Sequence, residues 1–134
     1  MAQIAENVRA FLEEVRFAVI ATANRDGSPH QTALWYALRG DTIIMNTGVR
    51  SKKVFNLKRD ARAAVTIVDS SEARHVTLDG SVTLDDSHVV ADLTTIASRY
   101  LGAEAGPGVA TNIAKTPHVS LILSVSRVKT FGNI

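Results

Sequence analysis

Six basic side chains crowd one short stretch of the sequence. Arg50, Lys52, Lys53, Lys58, Arg59 and Arg62 lie within GVRSKKVFNLKRDAR, residues 48–62, against the single carboxylate of Asp60. The surplus there is five positive charges, so the remainder of a chain whose total is +2 carries a net −3. Ser51 opens a short helical stretch, and the unpaired N–H groups of a first helical turn, with a hydroxyl beside them, make a seat for an anion. Lys53, one turn inside, reaches back to the same place as a mobile point charge. Phosphate is the natural guest of that arrangement; the other use of such a run is a solvated helix face. The total charge is small and no recognition helix or zinc finger is visible, so nucleic acid is not an expected partner.

A second segment, PHQTALWY at residues 29–36, alternates His30, Thr32, Leu34 and Tyr36 on one side of a strand with Gln31, Ala33 and Trp35 on the other. Trp35 is the only tryptophan, available either to stack on a flat ring or to fill a core. Nucleophilic catalysis has little to work with. The chain has no cysteine and no G-x-S-x-G turn, and His30, His75, His88 and His118 fall in separate elements with no metal-ligand spacing. Those histidines read as structural or surface residues, and Asp85-Asp86 as helix caps. An anion seat and an aromatic strand without an acid–base set imply chemistry supplied by a bound cofactor.

These segments need a frame. Ile4, Val8, Phe11, Leu12 and Val15 form one stripe of a first helix. Strands are expected at Phe17–Ala23, His30–Arg39 and Thr42–Thr47, then a helix over Lys52–Arg59 capped by Ser51, then strands at Ala61–Val68 and Arg74–Leu84, the latter bent at Gly80. A helix follows Asp85, Asp86 and Ser87 and runs to Leu101; residues 103–117 read as a loop with at most some helical turn. His118–Phe131 is a last strand, long enough to pair with more than one neighbour. The pattern predicts one mainly β (α+β) domain over residues 1–134, a six-stranded antiparallel split β-barrel with peripheral helices, with room for a homodimer interface. No membrane span and no secretory signal is visible, so the expected compartment is the cytoplasm.

Two motifs at matching separation resemble a known family. D-G-x-P-H-x-T-x-x-W-Y, at Asp26, Gly27, Pro29, His30, Thr32, Trp35 and Tyr36, and S-x-K-x-x-N-L-x-R-D-x-R-A, from Ser51 through Ala63, are similar to the split-barrel flavin and deazaflavin oxidoreductases related to pyridoxamine 5′-phosphate oxidase. The nearer likeness is to the branch that uses coenzyme F420. The resemblance implies the FMN-binding split-barrel fold and a homodimer with its cofactor at the subunit interface. It also implies a reductase passing a hydride to an electron-poor small molecule such as an enone, quinone or tetrapyrrole. Carried over by position, Ser51 and Lys53 hold the cofactor phosphate, with Arg50 and Lys52 as helpers and Asn56 in the same motif. Thr32, Ala33, Leu34 and Trp35, with Met45, Asn46 and Thr47, border the ring. The sequence has no counterpart to the Arg- and His-bearing carboxy-terminal motif that grips pyridoxal in the name-giving oxidase, so vitamin B6 oxidation is not expected. The crowd of cations favours F420, which carries an oligoglutamate tail, over FMN. A non-catalytic carrier of F420, FMN or haem is the alternative of another class.

Overall fold

The computed structural model describes residues 2–134. Its elements run α1 (Glu6–Glu13), β1 (Ala18–Ala23), β2 (Pro29–Leu34), β3 (Ala37–Arg39), β4 (Thr42–Gly48), α2 (Lys52–Arg59), β5 (Arg62–Asp69), β6 (Arg74–Asp85), α3 (Val89–Leu101), α4 (Gly106–Ile113) and β7 (His118–Phe131). The strands form one antiparallel sheet in the order β2-β1-β5-β6-β7-β4-β3. No described helix is long and apolar enough to cross a membrane.

Seven strands stand where six were expected, because the segment His30–Arg39 is divided at Trp35-Tyr36. β2 pairs with β1 and β3 with β4, so two pieces of one segment form the two opposite edges of the sheet. Only three virtual bonds, about 11 Å at full stretch, separate the Cα atoms of Leu34 and Ala37. The edges must therefore meet, and the sheet curls around one core. Ile20, Ile43, Met45, Val65, Ile67, Leu78, Leu121 and Leu123 fill that core from strands across the sheet, with Phe11 and Leu12 of α1 and Val54 and Leu57 of α2 closing its ends.

Period-two burial holds wherever a strand has a core on one side. β1 and β5 alternate strictly over most of their length. β6 shifts register between Asp79 and Gly80 as it crosses β7, the bend expected at the glycine. A Cβ there would lie 2.0 Å from the Ser124 carbonyl oxygen, so only glycine fits. β7 pairs with both β6 and β4, as its length foretold.

Four local expectations are corrected. Val15 lies beyond the end of α1 and is exposed, although Ile4, ahead of the helix, is buried. Asp85 ends β6 instead of capping α3: its carboxylate accepts from the Ser87 backbone N–H (2.8 Å) and pairs with His88 Nδ1 (2.9 Å), which shapes the turn ahead of the helix. Residues 106–113 form a helix, with Pro107 in its first turn where a missing N–H costs nothing. Ser51 occupies the N-cap position of α2, yet its hydroxyl caps no N–H.

Candidate functional site

β4 delivers Thr47 to the start of α2, and there three polar side chains converge. Thr47 Oγ1 donates to Ser51 Oγ (3.1 Å), and Lys53 Nζ donates to Thr47 Oγ1 (3.1 Å). The Ser51 hydroxyl is thus turned to the threonine and lysine, and the first N–H groups of α2 are left without a side-chain cap. Lys53 is only 8% exposed, and burial pushes its pKa below the ordinary lysine value. No carboxylate lies within pairing distance of it among the described residues. A cation that has lost most of its water and gained one hydroxyl is a place for an anion.

The neighbouring charges sort themselves by partner. Arg62 is spent on Asp60, whose carboxylate accepts from Arg62 Nε (3.0 Å) and Nη2 (2.8 Å) and is held down to about 2 by those bonds. Arg59 donates to the Ala23 carbonyl. Arg50, Lys52, Lys53 and Lys58 have no ion pair among the described residues. Lys52 lines a cleft of about 680 Å³ beside the β1–β2 turn, with Arg25, Asp26, Phe55 and Arg59. Arg50 lines a separate hollow of about 360 Å³ with Gly48, Val49, Thr116 and Pro117.

Asn56, placed with the cofactor residues by sequence position, sits apart from the Thr47–Ser51–Lys53 group. It is buried, and its Nδ2 donates to Thr22 Oγ1 (3.1 Å) and Asn24 Oδ1 (3.0 Å), which ties α2 to β1 and its turn. Met45 is fully buried in the main core, so its backbone is all it can present to a ligand. Thr32 and Leu34 share the half-buried face of β2, and Ala33 is on the exposed face. Trp35 lies at the break between β2 and β3, its ring stacked on Tyr100 at 4.6 Å and 7°.

Two polar atoms in this neighbourhood are buried without a partner: Thr32 Oγ1 and Asn46 Oδ1. Asn46 keeps only a long bond from its Nδ2 to Ser120 Oγ (3.4 Å). Asn46 and Thr47 are successive residues of β4, so the Asn46 side chain opens on the face opposite the Thr47–Ser51–Lys53 group, whereas the unpartnered Thr32 Oγ1 fits a ligand with a polar edge. The sequence reading missed Arg99 and Tyr100, which organise the break, and His118, which lies beside Asn46. Tyr100 was legible only as a member of the apolar side of α3. Its hydroxyl, however, accepts from the Tyr36 N–H (3.1 Å) and donates to the Arg16 carbonyl (2.6 Å).

Comparison with known proteins agrees with this geometry. The family model described as pyridoxamine 5′-phosphate oxidase matches residues 4–132. The conserved hypothetical protein Rv2991 from Mycobacterium tuberculosis has a similar structure, with a TM-score of 0.81 and 26% identity over 96% of this chain and 85% of that one. An F420 reductase superposes with a TM-score of 0.79 and 21% identity, covering 94% of this chain and 98% of that one. A pyridoxamine 5′-phosphate oxidase-related, FMN-binding protein from Nostoc punctiforme gives 0.65 and 20%, covering 87% and 74%. No curated protein matches the chain. With a curled antiparallel sheet and a family match spanning nearly its whole length, the chain belongs to the pyridoxamine 5′-phosphate oxidase family.

Proposed function

We propose that the protein is a cytoplasmic reductase that uses reduced coenzyme F420 to pass a hydride to an electron-poor small molecule such as an enone, quinone or tetrapyrrole. The observation that carries this reading is Lys53, buried without a carboxylate beside Thr47 and Ser51. Ser51, Lys53 and the open N–H groups of α2 would hold the phosphate. Arg50 and Lys52, free of ion pairs, supply more positive charge than one phosphate requires, which suits a longer anion. Thr32 Oγ1, buried without a partner, would meet the polar edge of the ring. The deazaflavin supplies the hydride when bound; this chain's residues bind, orient and shield it.

Titration of the purified protein with F420 and with FMN tests the reading. Micromolar F420 binding with much weaker FMN binding is expected, and the reverse order would refute it. The Thr47–Ser51–Lys53 group alone suffices for a single phosphate, so an FMN-dependent oxidase or reductase is the second reading; such a protein would purify yellow.

A second copy of the chain completes the proposal. Outward-facing residues of the sheet are small, Val19, Ala21, Ala64 and Thr66 among them, and at its margin Phe17, Val68 and Phe131 are 52–64% exposed. A face of small side chains with an apolar rim suits an isologous contact. Sedimentation equilibrium at micromolar concentration is expected to give a dimer mass, and a monomer there would remove this part of the proposal.

A further inference from the structure

Between the β4–β7 face of the sheet and the helix pair α3 and α4 lies a recess to which Thr47, Ser51 and Lys53 contribute nothing. Trp35, Asn46, Leu93, Ile96, Ile113 and His118 line this half-open space of about 150 Å³. A cavity of about that size takes one six-membered ring, not three fused ones. Its walls are mostly apolar, with Leu93 and Ile96 from α3 and Ile113 from α4. Trp35 is backed on one side by Tyr100, which holds the indole in place.

Each of the two polar side chains in the lining offers an acceptor. Asn46 pairs with Ser120 and Gly48 with His118, so Asn46 and His118 are diagonal neighbours on one face, about 7–8 Å apart. Asn46 Oδ1 is buried and unpartnered. His118 Nδ1 lies 2.8 Å from the Thr116 carbonyl oxygen, which can only accept, so in the neutral ring Nδ1 carries the proton and Nε2 is the acceptor. An apolar ring in this cavity would leave the asparagine oxygen unsatisfied, whereas a ring bearing a donor would repair it.

We propose that the cavity binds a single uncharged ring carrying an O–H or N–H, the ring packed among Trp35, Leu93, Ile96 and Ile113 and the donor on Asn46 Oδ1. The test uses phenol and toluene, rings of nearly equal size with and without a donor, added to the protein without cofactor. Trp35, the only tryptophan, reports binding by its fluorescence.

A saturable response is expected, with phenol binding at least about tenfold more tightly than toluene. Asn46→Leu should remove the phenol preference and turn it towards toluene, because the phenol hydroxyl then loses its water with no acceptor in return. Ile113→Phe, which fills the space and leaves the polar groups in place, should abolish both responses. Equal binding of toluene and phenol to the unaltered protein would overturn the proposal. So would a phenol preference that survives Asn46→Leu, binding that survives Ile113→Phe, or no saturable response at all. With no cofactor in the titration, failure of the F420 reading leaves this result standing, and failure here leaves cofactor affinity untouched.

Discussion

Replacing Arg99 by alanine is expected to cost about 3–4 kcal/mol of stability, read as a fall of roughly 10 °C in Tm for a chain of this size. One guanidinium serves four carbonyls. Nε donates to Tyr36 O (3.0 Å), Nη1 to Glu13 O (2.8 Å), and Nη2 to Leu12 O (2.9 Å) and Glu14 O (3.1 Å). Its Cζ also lies 4.7 Å from the centre of the Tyr36 ring. The contacts tie the last turn of α3 to the end of α1 and to the chain break between β2 and β3. Truncation leaves these acceptors without their charged donor, and each bond to a charged group contributes more than a neutral one. Arg99→Lys should recover little, because a single ammonium cannot span a fork of carbonyls. Tyr100 is the next residue, so the Trp35–Tyr100 stack should loosen too, seen as a shift in tryptophan emission. A melting temperature within a degree or two of the unaltered protein would show that the carbonyls find other donors.

That hub marks the limit of what the sequence disclosed. Alternation in β5 and β6 was readable because each strand has a core on one side and solvent or a partner on the other. The helix at 52–59 was readable because Val54 and Leu57 sit three apart between cations. The division at Trp35-Tyr36 was not, since periodicity assigns a residue to a face but not a strand to a neighbour, and both halves of 29–39 look equally strand-like. α4 escaped for a different reason. Its buried residues are Gly106 and Ala110, and it packs on α3 by close backbone approach, a Cβ at Gly106 falling 2.4 Å from Ser98 Cα. Small residues leave no apolar stripe to detect. At the site, residue types pointed to an anion seat, but the hydroxyl geometry differed: Ser51 faces Thr47 instead of capping its helix. Nothing local to Asn46 or His118 announced that β4 and β7 would set them side by side.

Lys53→Met should separate the cost of the buried cation from its use. The side chain is nearly fully buried with Thr47 as its one hydrogen-bonding partner, so in the free protein its charge is poorly compensated. A methionine of similar length removes that charge without opening a cavity, and stability should hold or rise. Affinity for F420 should fall about 10–100-fold, the loss of one charged partner worth about 1–3 kcal/mol. A purely structural lysine would give the opposite pattern, lower stability with unchanged affinity.

The pH dependence supplies a second reading of the same residue. Burial lowers the folded-state pKa below the ordinary 10.5, so the unfolded chain holds this proton more strongly than the folded one. The unfavourable contribution is therefore complete below the folded value and is relieved as pH climbs towards 10.5, so stability gains in that window. Anion affinity runs the other way, declining as the ammonium loses its proton. Lys53→Arg keeps its charge throughout, and its affinity should stay level as pH rises towards 10.5 while that of the unaltered protein declines. Parallel declines in both proteins would assign the pH dependence to another group and take Lys53 out of the anion seat.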